Sequence, residues 1–241
     1  MKKIFYVLYA SLCYLIFFVT FLYLIGFVTN LFVPKSIDTG KESTASVAIL
    51  VNLGLISLFG IQHSVMARRG FKKKWTKIIP EPIERSTYVL FASIFVILLL
   101  YFWKPIPVVI WNLAGTTSGN ILMGVSFLGW GMVLLSTFLI NHFHLFGLHQ
   151  VYQHTTDKEQ KTLVFRTPFL YRMVRHPLYL GFLIAFWTTP VMTAGHLLFT
   201  TGMTIYIFIG IHHEEKDLVK LYGNDYQHYK KTTPGILPFT R

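Results

Sequence analysis

The run from Ile4 to Phe32, IFYVLYASLCYLIFFVTFLYLIGFVTNLF, contains no charged side chain. A helix needs roughly 20 apolar residues to cross the hydrocarbon core of a bilayer, so this run is long enough to span it with some tilt. It is too long for a secretory signal peptide, and it lacks a small-residue cleavage site. The sequence therefore predicts an uncleaved first transmembrane helix.

The rest of the chain has the same apolar character. Of its 241 residues, 53% are hydrophobic, 17% are aromatic and only 13% are charged, which is more apolar than a soluble domain requires. The predicted fold class is all-α: a polytopic membrane helix bundle of about six transmembrane helices, forming a single domain over residues 1–241. The last two spans form a short helical hairpin, and a cytoplasmic tail follows. The predicted spans are residues 4–32, 45–66, 86–103, 121–140, 177–190 and 191–211.

The distribution of basic residues predicts the orientation of these spans in the membrane. Cytoplasmic loops carry an excess of Lys and Arg, so we expect both termini to be cytoplasmic in a bacterial inner membrane. The same bias explains the net charge of +12 without a nucleic-acid partner, and the run at 68–77 suits contact with anionic membrane lipids. Basic residues concentrate at the N-terminus, in 67–86, in 151–176 and in the tail, and are scarce in 34–44, 104–120 and 189–193.

Six histidines lie near the predicted membrane boundaries: His142, His144, His149, His154, His212 and His213. Their spacing does not give the helical i, i+4 pair of a metal site, and no cysteine-rich motif supports them. The single cysteine, Cys13, excludes an internal disulfide. We therefore predict no metal, and we expect these side chains to line a cytoplasmic cavity.

The stretch RMVRHPLYLG, residues 172–181, stands where a basic segment meets an apolar run. Pro177 suits the first turn of a helix, where its missing N–H costs nothing. A helix that starts there directs its free N–H groups and positive dipole end toward the polar side, which favours an anion. The alternative, above all for Arg175, is a basic membrane anchor.

Two acidic residues, Glu214 and Glu215, follow the last predicted span directly. Neither the positive-inside bias nor a helix C-terminal dipole favours carboxylates there. They could accept hydrogen bonds from a ribose diol or an ammonium group, or they could form a solvated face. Ionisable groups at membrane depth are costly, so His63 and Arg85, at the ends of two predicted spans, are expected to be functional or paired.

Three motifs occur in order: R-H-P-x-Y-x-G at 175–181, E-E at 214–215 and Y-G-x-x-Y-x-x-Y at 222–229. This combination resembles the membrane methyltransferases of the isoprenylcysteine carboxyl methyltransferase and phospholipid methyltransferase group. Upstream, the segments 62–68, 84–90 and 141–150 resemble the nurim-like branch, which includes bacterial methanethiol S-methyltransferases, and this similarity extends over almost the whole chain. That branch usually has an acidic residue at the position of His144 and an arginine at the position of His149.

The resemblance implies an S-adenosylmethionine (SAM) site on the cytoplasmic side. Within it, Arg175 and His176 are expected to hold the methionine carboxylate, and Glu214 the amino group or the ribose. The family's arginine for a carboxylate acceptor has no counterpart in 207–210, which argues against a carboxylate acceptor and fits a small neutral or thiol one. The predicted cofactor-binding residues are Leu163, Val164, Tyr171, Arg175, His176, Pro177, Leu178, Tyr179, Gly181, Glu214 and Glu215.

The expected reaction is transfer of a methyl group from SAM to methanethiol, giving dimethyl sulfide. The sulfonium charge disappears as the thiolate attacks, so a water-poor site favours the reaction. A small thiol titrates well above neutral pH, so a base or a positive field must favour the thiolate. His142 is the first candidate base and His63 the second, with Arg85 or Arg175 as electrostatic partner. The alternatives are another small thiol or a lipid acceptor, or a non-enzymatic nurim-like membrane protein.

Overall fold

A computed structural model describes residues 2–156 and 165–238 of the chain. Helices account for most of the described residues, and the strands are short. The helices are α1 (Lys2–Thr29), α2 (Ala45–Ala67), α3 (Arg69–Trp75), α4 (Glu81–Phe102), α5 (Thr117–Ile140), α6 (His142–Leu145), α7 (Leu148–Thr155), α8 (Leu170–Met173), α9 (Pro177–Trp187), α10 (Ala194–Tyr222) and α11 (Asn224–Thr232). The strands are β1 (Val109–Asn112) and β2 (Val191–Thr193).

Five helices, α1, α2, α4, α5 and α10, are long and apolar enough to cross a membrane. The predicted all-α, polytopic membrane class is therefore confirmed. Helix α4 begins earlier than the predicted span 86–103, because Pro80 and Pro82 flank its start and its acidic first turn favours the N-terminal dipole. Helix α10 continues past the predicted end at residue 211, so the two glutamates lie on a helix and not in a separate tail.

The predicted span 177–190 is a helix of only 11 residues, α9. It is shielded by close packing against α5, where the Cβ of an alanine at Gly181 would lie 2.8 Å from the Gly129 carbonyl oxygen. The hydroxyl of Ser126 also donates to the carbonyl of Ala185 over 2.9 Å. Small residues let two helix backbones approach this closely.

Strand β1 lies in the stretch 104–120, between the predicted spans 86–103 and 121–140. It pairs antiparallel with β2, with Val109 opposite Thr193 and Trp111 opposite Met192. The Trp111 indole N–H donates to the Thr189 carbonyl over 3.1 Å. The β-branched and aromatic residues of 109–111 suit a strand, and the pairing satisfies the backbone where α9 has ended.

The described chain divides into two compact units. The first contains α1 to α4, α6, α7 and the start of α10, up to Phe199, and the second contains the remaining elements. In the first unit, the buried Trp103 ring stands 6.3 Å from Phe27 and 5.7 Å from Phe199. Its indole N–H donates to the Ile37 carbonyl over 3.1 Å, which closes the end of α4. In the second unit, Trp130 packs against Phe186 at 5.7 Å.

Candidate functional site

The R-H-P motif lies in the second unit, at the start of α9. Pro177 occupies the first helical turn, as predicted from the sequence. The preceding backbone is held by the C-terminal segment: the Arg175 N–H donates to the Pro234 carbonyl over 2.9 Å, and the His176 N–H donates to the Gly235 carbonyl over 3.0 Å. The conformation of the motif therefore depends on residues that follow α11.

A buried carboxylate, Glu215, is the centre of an ion cluster. Its Oε1 accepts from Arg175 Nε at 2.8 Å and from Arg175 Nη2 at 2.7 Å, and it lies 3.2 Å from His176 Nε2. Its Oε2 lies 2.6 Å from Lys230 Nζ. The Glu215 side chain is only 8% exposed, so removal of the carboxylate would leave buried positive charge without compensation.

Glu214 differs from its neighbour because it faces outward, with 43% of its side chain exposed. Its Oε2 stands 3.9 Å from His176 Nδ1, so the His176 ring lies between the two carboxylates. The same carboxylate affects Tyr171. Burial makes the largest contribution to raising the pKa of Tyr171, and the negative charge of Glu214 raises it further. This phenol therefore remains a hydrogen-bond donor at neutral pH.

The structure thus brings five of the predicted cofactor residues together: Tyr171, Arg175, His176, Glu214 and Glu215. Other predicted positions are structural neighbours of this group. Pro177 is buried and Leu178 is half-buried. The Tyr179 ring lies 5.7 Å from the His176 ring. Gly181 packs against α5, which accounts for its lack of a side chain. Leu163 and Val164 lie outside the described residues.

Sequence reasoning assigned no role to three further residues beside this group: Lys230, Tyr226 and Phe165. The Tyr226 side chain is buried, and its hydroxyl has no hydrogen-bond partner among the described residues. Burial and the charges of Glu215 and Glu214 raise the pKa of Tyr226.

The Phe165 ring stands 5.2 Å from Tyr222 and 5.3 Å from Tyr229. The i, i+3 spacing of Tyr226 and Tyr229 was the available signal, because it puts both on one face of α11.

The predicted catalytic residues lie in the first unit. His63 and Arg85 share one aromatic residue: His63 Nε2 lies 2.8 Å from the Tyr88 hydroxyl, and the Arg85 guanidinium stands 4.9 Å from the Tyr88 ring centre. Arg85 Nε also donates to the Leu145 carbonyl over 2.7 Å. These contacts fix a cation against an aromatic face beside an imidazole.

His142 begins the short helix α6 and is only 5% exposed. Its Nε2 lies 2.7 Å from the Tyr14 hydroxyl, and its ring packs 4.8 Å from that of Phe146. Burial lowers the pKa of His142, so the imidazole is neutral at physiological pH and can accept a proton. Asn141 caps the helix by accepting from the His144 N–H over 3.1 Å.

The loop that carries His142 packs closely against α4. Gly147 has a φ of 91°, and a Cβ there would lie 2.4 Å from Ser86 Oγ. The rings of His144 and His149 stand 5.8 Å apart. The described residues contain no group of three or more His, Cys, Asp or Glu side chains that could hold a metal ion.

The helices and the ion cluster define an integral membrane protein with a polar site at the end of a short helix. Residues 15–233 match a family model described as a protein of unknown function, DUF1295. Methanethiol S-methyltransferase 1 of Bradyrhizobium diazoefficiens is 54% identical over 97% of this chain and 82% of its own length. The enzyme of the same name from Mycobacterium tuberculosis is 46% identical over 99% of this chain and 98% of its own length.

A more distant relative is nurim of Xenopus laevis, 27% identical over 65% of this chain and 58% of its own length. No solved structure matches the chain. At 46–54% identity over nearly its whole length, the chain belongs to the family of the bacterial methanethiol S-methyltransferases. The resemblance seen in the sequence motifs is confirmed.

Proposed function

We propose that this chain is a SAM-dependent methyltransferase that converts methanethiol to dimethyl sulfide at a cytoplasm-facing membrane site. The observation that carries the proposal is the 54% identity with a methanethiol S-methyltransferase over 97% of the chain. Residues 1–241 act as one methyltransferase domain. SAM, when bound, supplies the methyl group from its sulfonium sulfur, and no metal takes part.

The residues around the R-H-P motif fit such a cofactor. Glu214 offers a half-exposed carboxylate that can accept from a ribose diol or an ammonium group. The buried Tyr226 hydroxyl needs a partner that the described protein does not provide, and a nucleoside has several groups that could serve. The rings of Phe165 and Tyr222 offer an aromatic surface for a purine. Leu163, Val164, Leu178 and Tyr179 complete the predicted set.

The acceptor thiol must lose its proton, and His142 is the group we assign to take it. A neutral, buried imidazole can accept a proton, and the Tyr14 hydroxyl at 2.7 Å holds its ring in one orientation. Arg85 supplies the positive field that favours a thiolate, since its guanidinium is fixed by the Leu145 carbonyl and the Tyr88 ring. His63, held by the Tyr88 hydroxyl, is the second candidate for the base.

The membrane setting is part of the proposal. We place the protein in a bacterial inner membrane with both termini in the cytoplasm, because that orientation puts the basic loops inside. Arg69, Lys73, Lys74 and Lys77 on and after α3 are exposed and suit anionic lipid headgroups. SAM is a cytosolic metabolite by its charge and solubility, so its site must open to that side.

The test is direct. The full chain is purified in detergent and supplied with SAM and methanethiol, and dimethyl sulfide is measured in the headspace, with Glu214→Ala as the comparison. We expect turnover by the wild type and loss of SAM binding in Glu214→Ala by calorimetry. Wild-type protein that does not bind SAM would end the proposal, and SAM binding without dimethyl sulfide would point to another acceptor.

A further inference from the structure

The side of Glu215 that carries Lys230 holds more positive than negative charge, because Lys216, Lys220 and Lys230 line the cleft there against one carboxylate. Two permanent cations, Arg175 and Lys230, contact this one carboxylate, and His176 adds a third N–H group. A surplus cation beside a buried carboxylate is costly unless an anion or water balances it. A cleft of about 340 Å³ opens next to the cluster, and its lining residues are His212, Glu215, Lys216, Val219, Lys220 and Lys230. The surplus charge therefore faces a space that could receive an anionic group.

Arg175 is not the cation that is available to a ligand. Its Nε and Nη2 are bound to Glu215, and its Nη1 donates to the carbonyls of Lys230 and Thr233. Its side chain is only 12% exposed. The sequence predicted that Arg175 holds the methionine carboxylate. In the structure, all three nitrogens of its guanidinium already have protein partners.

Lys230 is in the opposite situation. Its ammonium contacts Glu215 at 2.6 Å, yet 48% of its side chain is exposed toward the cleft. An ammonium group has three N–H donors, so one bond to Glu215 leaves capacity for a second anion.

We propose that the cleft binds the carboxylate at the amino-acid end of SAM, with Lys230 holding that carboxylate. This assignment rests on the proposed function and names a residue that none of the three sequence motifs includes. Glu215 then acts as a positioning residue, because it fixes Lys230 from one side while the ligand contacts it from the other.

The experiment compares two ligands that differ only in the carboxylate: SAM and decarboxylated SAM. Calorimetry on the detergent-purified full chain gives the affinity of each. We expect Lys230→Ala to weaken SAM binding by about tenfold or more, as loss of a charge-assisted hydrogen bond does. Its affinity for decarboxylated SAM should change little, and the KM for SAM should rise while kcat is kept.

Controls separate this role from a structural one. Lys231→Ala removes the same charge from the next, exposed position of α11 and should leave both affinities unchanged. Lys230→Arg keeps the charge and should retain most of the SAM affinity, even if Lys230→Ala proves too unstable to purify. Equal weakening of both ligands, or no weakening, would overturn the inference. Wild-type protein that binds neither ligand would overturn the proposed function instead.

Discussion

The two groups of predicted site residues are held by different kinds of contact. Around Glu215 the contacts are ion pairs, because Arg175 and Lys230 bind the carboxylate directly. In the first unit, the ionisable groups are held by tyrosines, since Tyr14 contacts His142 and Tyr88 contacts His63. A phenol fixes an imidazole without adding a charge, so the ring can remain neutral. The first arrangement suits a charged cofactor, and the second suits proton transfer from a small thiol.

The largest effect is expected from Glu215→Ala. The free energy of unfolding should fall by about 3 kcal/mol, because Arg175 loses its partner in a mostly buried position. Denaturant unfolding of the purified protein measures this. Glu214→Ala is the matched control on the next residue: it should cost less than about 1 kcal/mol, since that side chain is half-exposed. Equal stability of the two variants would show that the cluster does not support the fold.

The second effect distinguishes chemistry from cofactor binding. His142→Ala should lower kcat by about 100-fold or more, the usual contribution of a general base, while SAM affinity by calorimetry is unchanged. His154→Ala removes an exposed histidine from α7 and should leave turnover intact. If His142→Ala turns over normally, the base assignment moves to His63, and His63→Ala is measured in the same assay.

A third prediction concerns the loop that carries His142. Gly147→Ala should destabilise the protein by about 1–3 kcal/mol, because the residue has a positive φ and a Cβ would collide with Ser86. Thermal unfolding gives the size of the loss. Gly70→Ala lies in the same unit, in open space within α3, and should be neutral or slightly stabilising. Equal behaviour of the two alanine variants would show that the loop is not fixed against α4.

The smallest effect is a dependence of stability on pH. Burial lowers the pKa of His142, so below the ordinary value of about 6.5 the unfolded chain takes up a proton that the folded chain does not. The contribution of this group to stability is therefore complete above about pH 6.5 and declines as the pH falls. Unfolding midpoints of the wild type and His142→Gln between pH 8 and pH 5.5 should diverge on the acid side. Parallel curves would contradict the shift.

Sequence patterns predicted the parts of the structure that depend on the local sequence alone. Long apolar runs defined α1, α2, α4, α5 and α10, and Pro177 marked the start of α9 because proline fits a first helical turn. The end of α10 could not be found this way. Residues 212–222 are mostly polar but include strong helix formers such as Glu, Lys and Leu, so hydropathy shows where a span could end and not where the helix ends.

The pairing of side chains was not predictable, because it depends on contacts between distant parts of the chain. Glu214 and Glu215 look equivalent in the sequence, yet successive helix residues point about 100° apart, so one is buried and the other is half-exposed. Lys230 had no distinguishing signal, since it is one of several lysines in a basic tail. Its proximity to Glu215 arises from the turn at Gly223, whose φ of 56° lets α11 follow α10 directly.

The contact between α5 and α9 also determines how far the start of α9 lies from the end of α5. The two helices are antiparallel, with Gly181 against Gly129 and Ser126 against Ala185. At roughly 1.5 Å per residue, α9 extends about 6 Å from Gly181 back to Pro177, whereas α5 extends about 16 Å from Gly129 to Ile140. Helix α9 therefore begins roughly 10 Å short of the end of its neighbouring span. A reaction at that level would receive a volatile, lipid-soluble thiol sideways from the bilayer and release its sulfide product the same way, while only the charged cofactor would need to enter from the water.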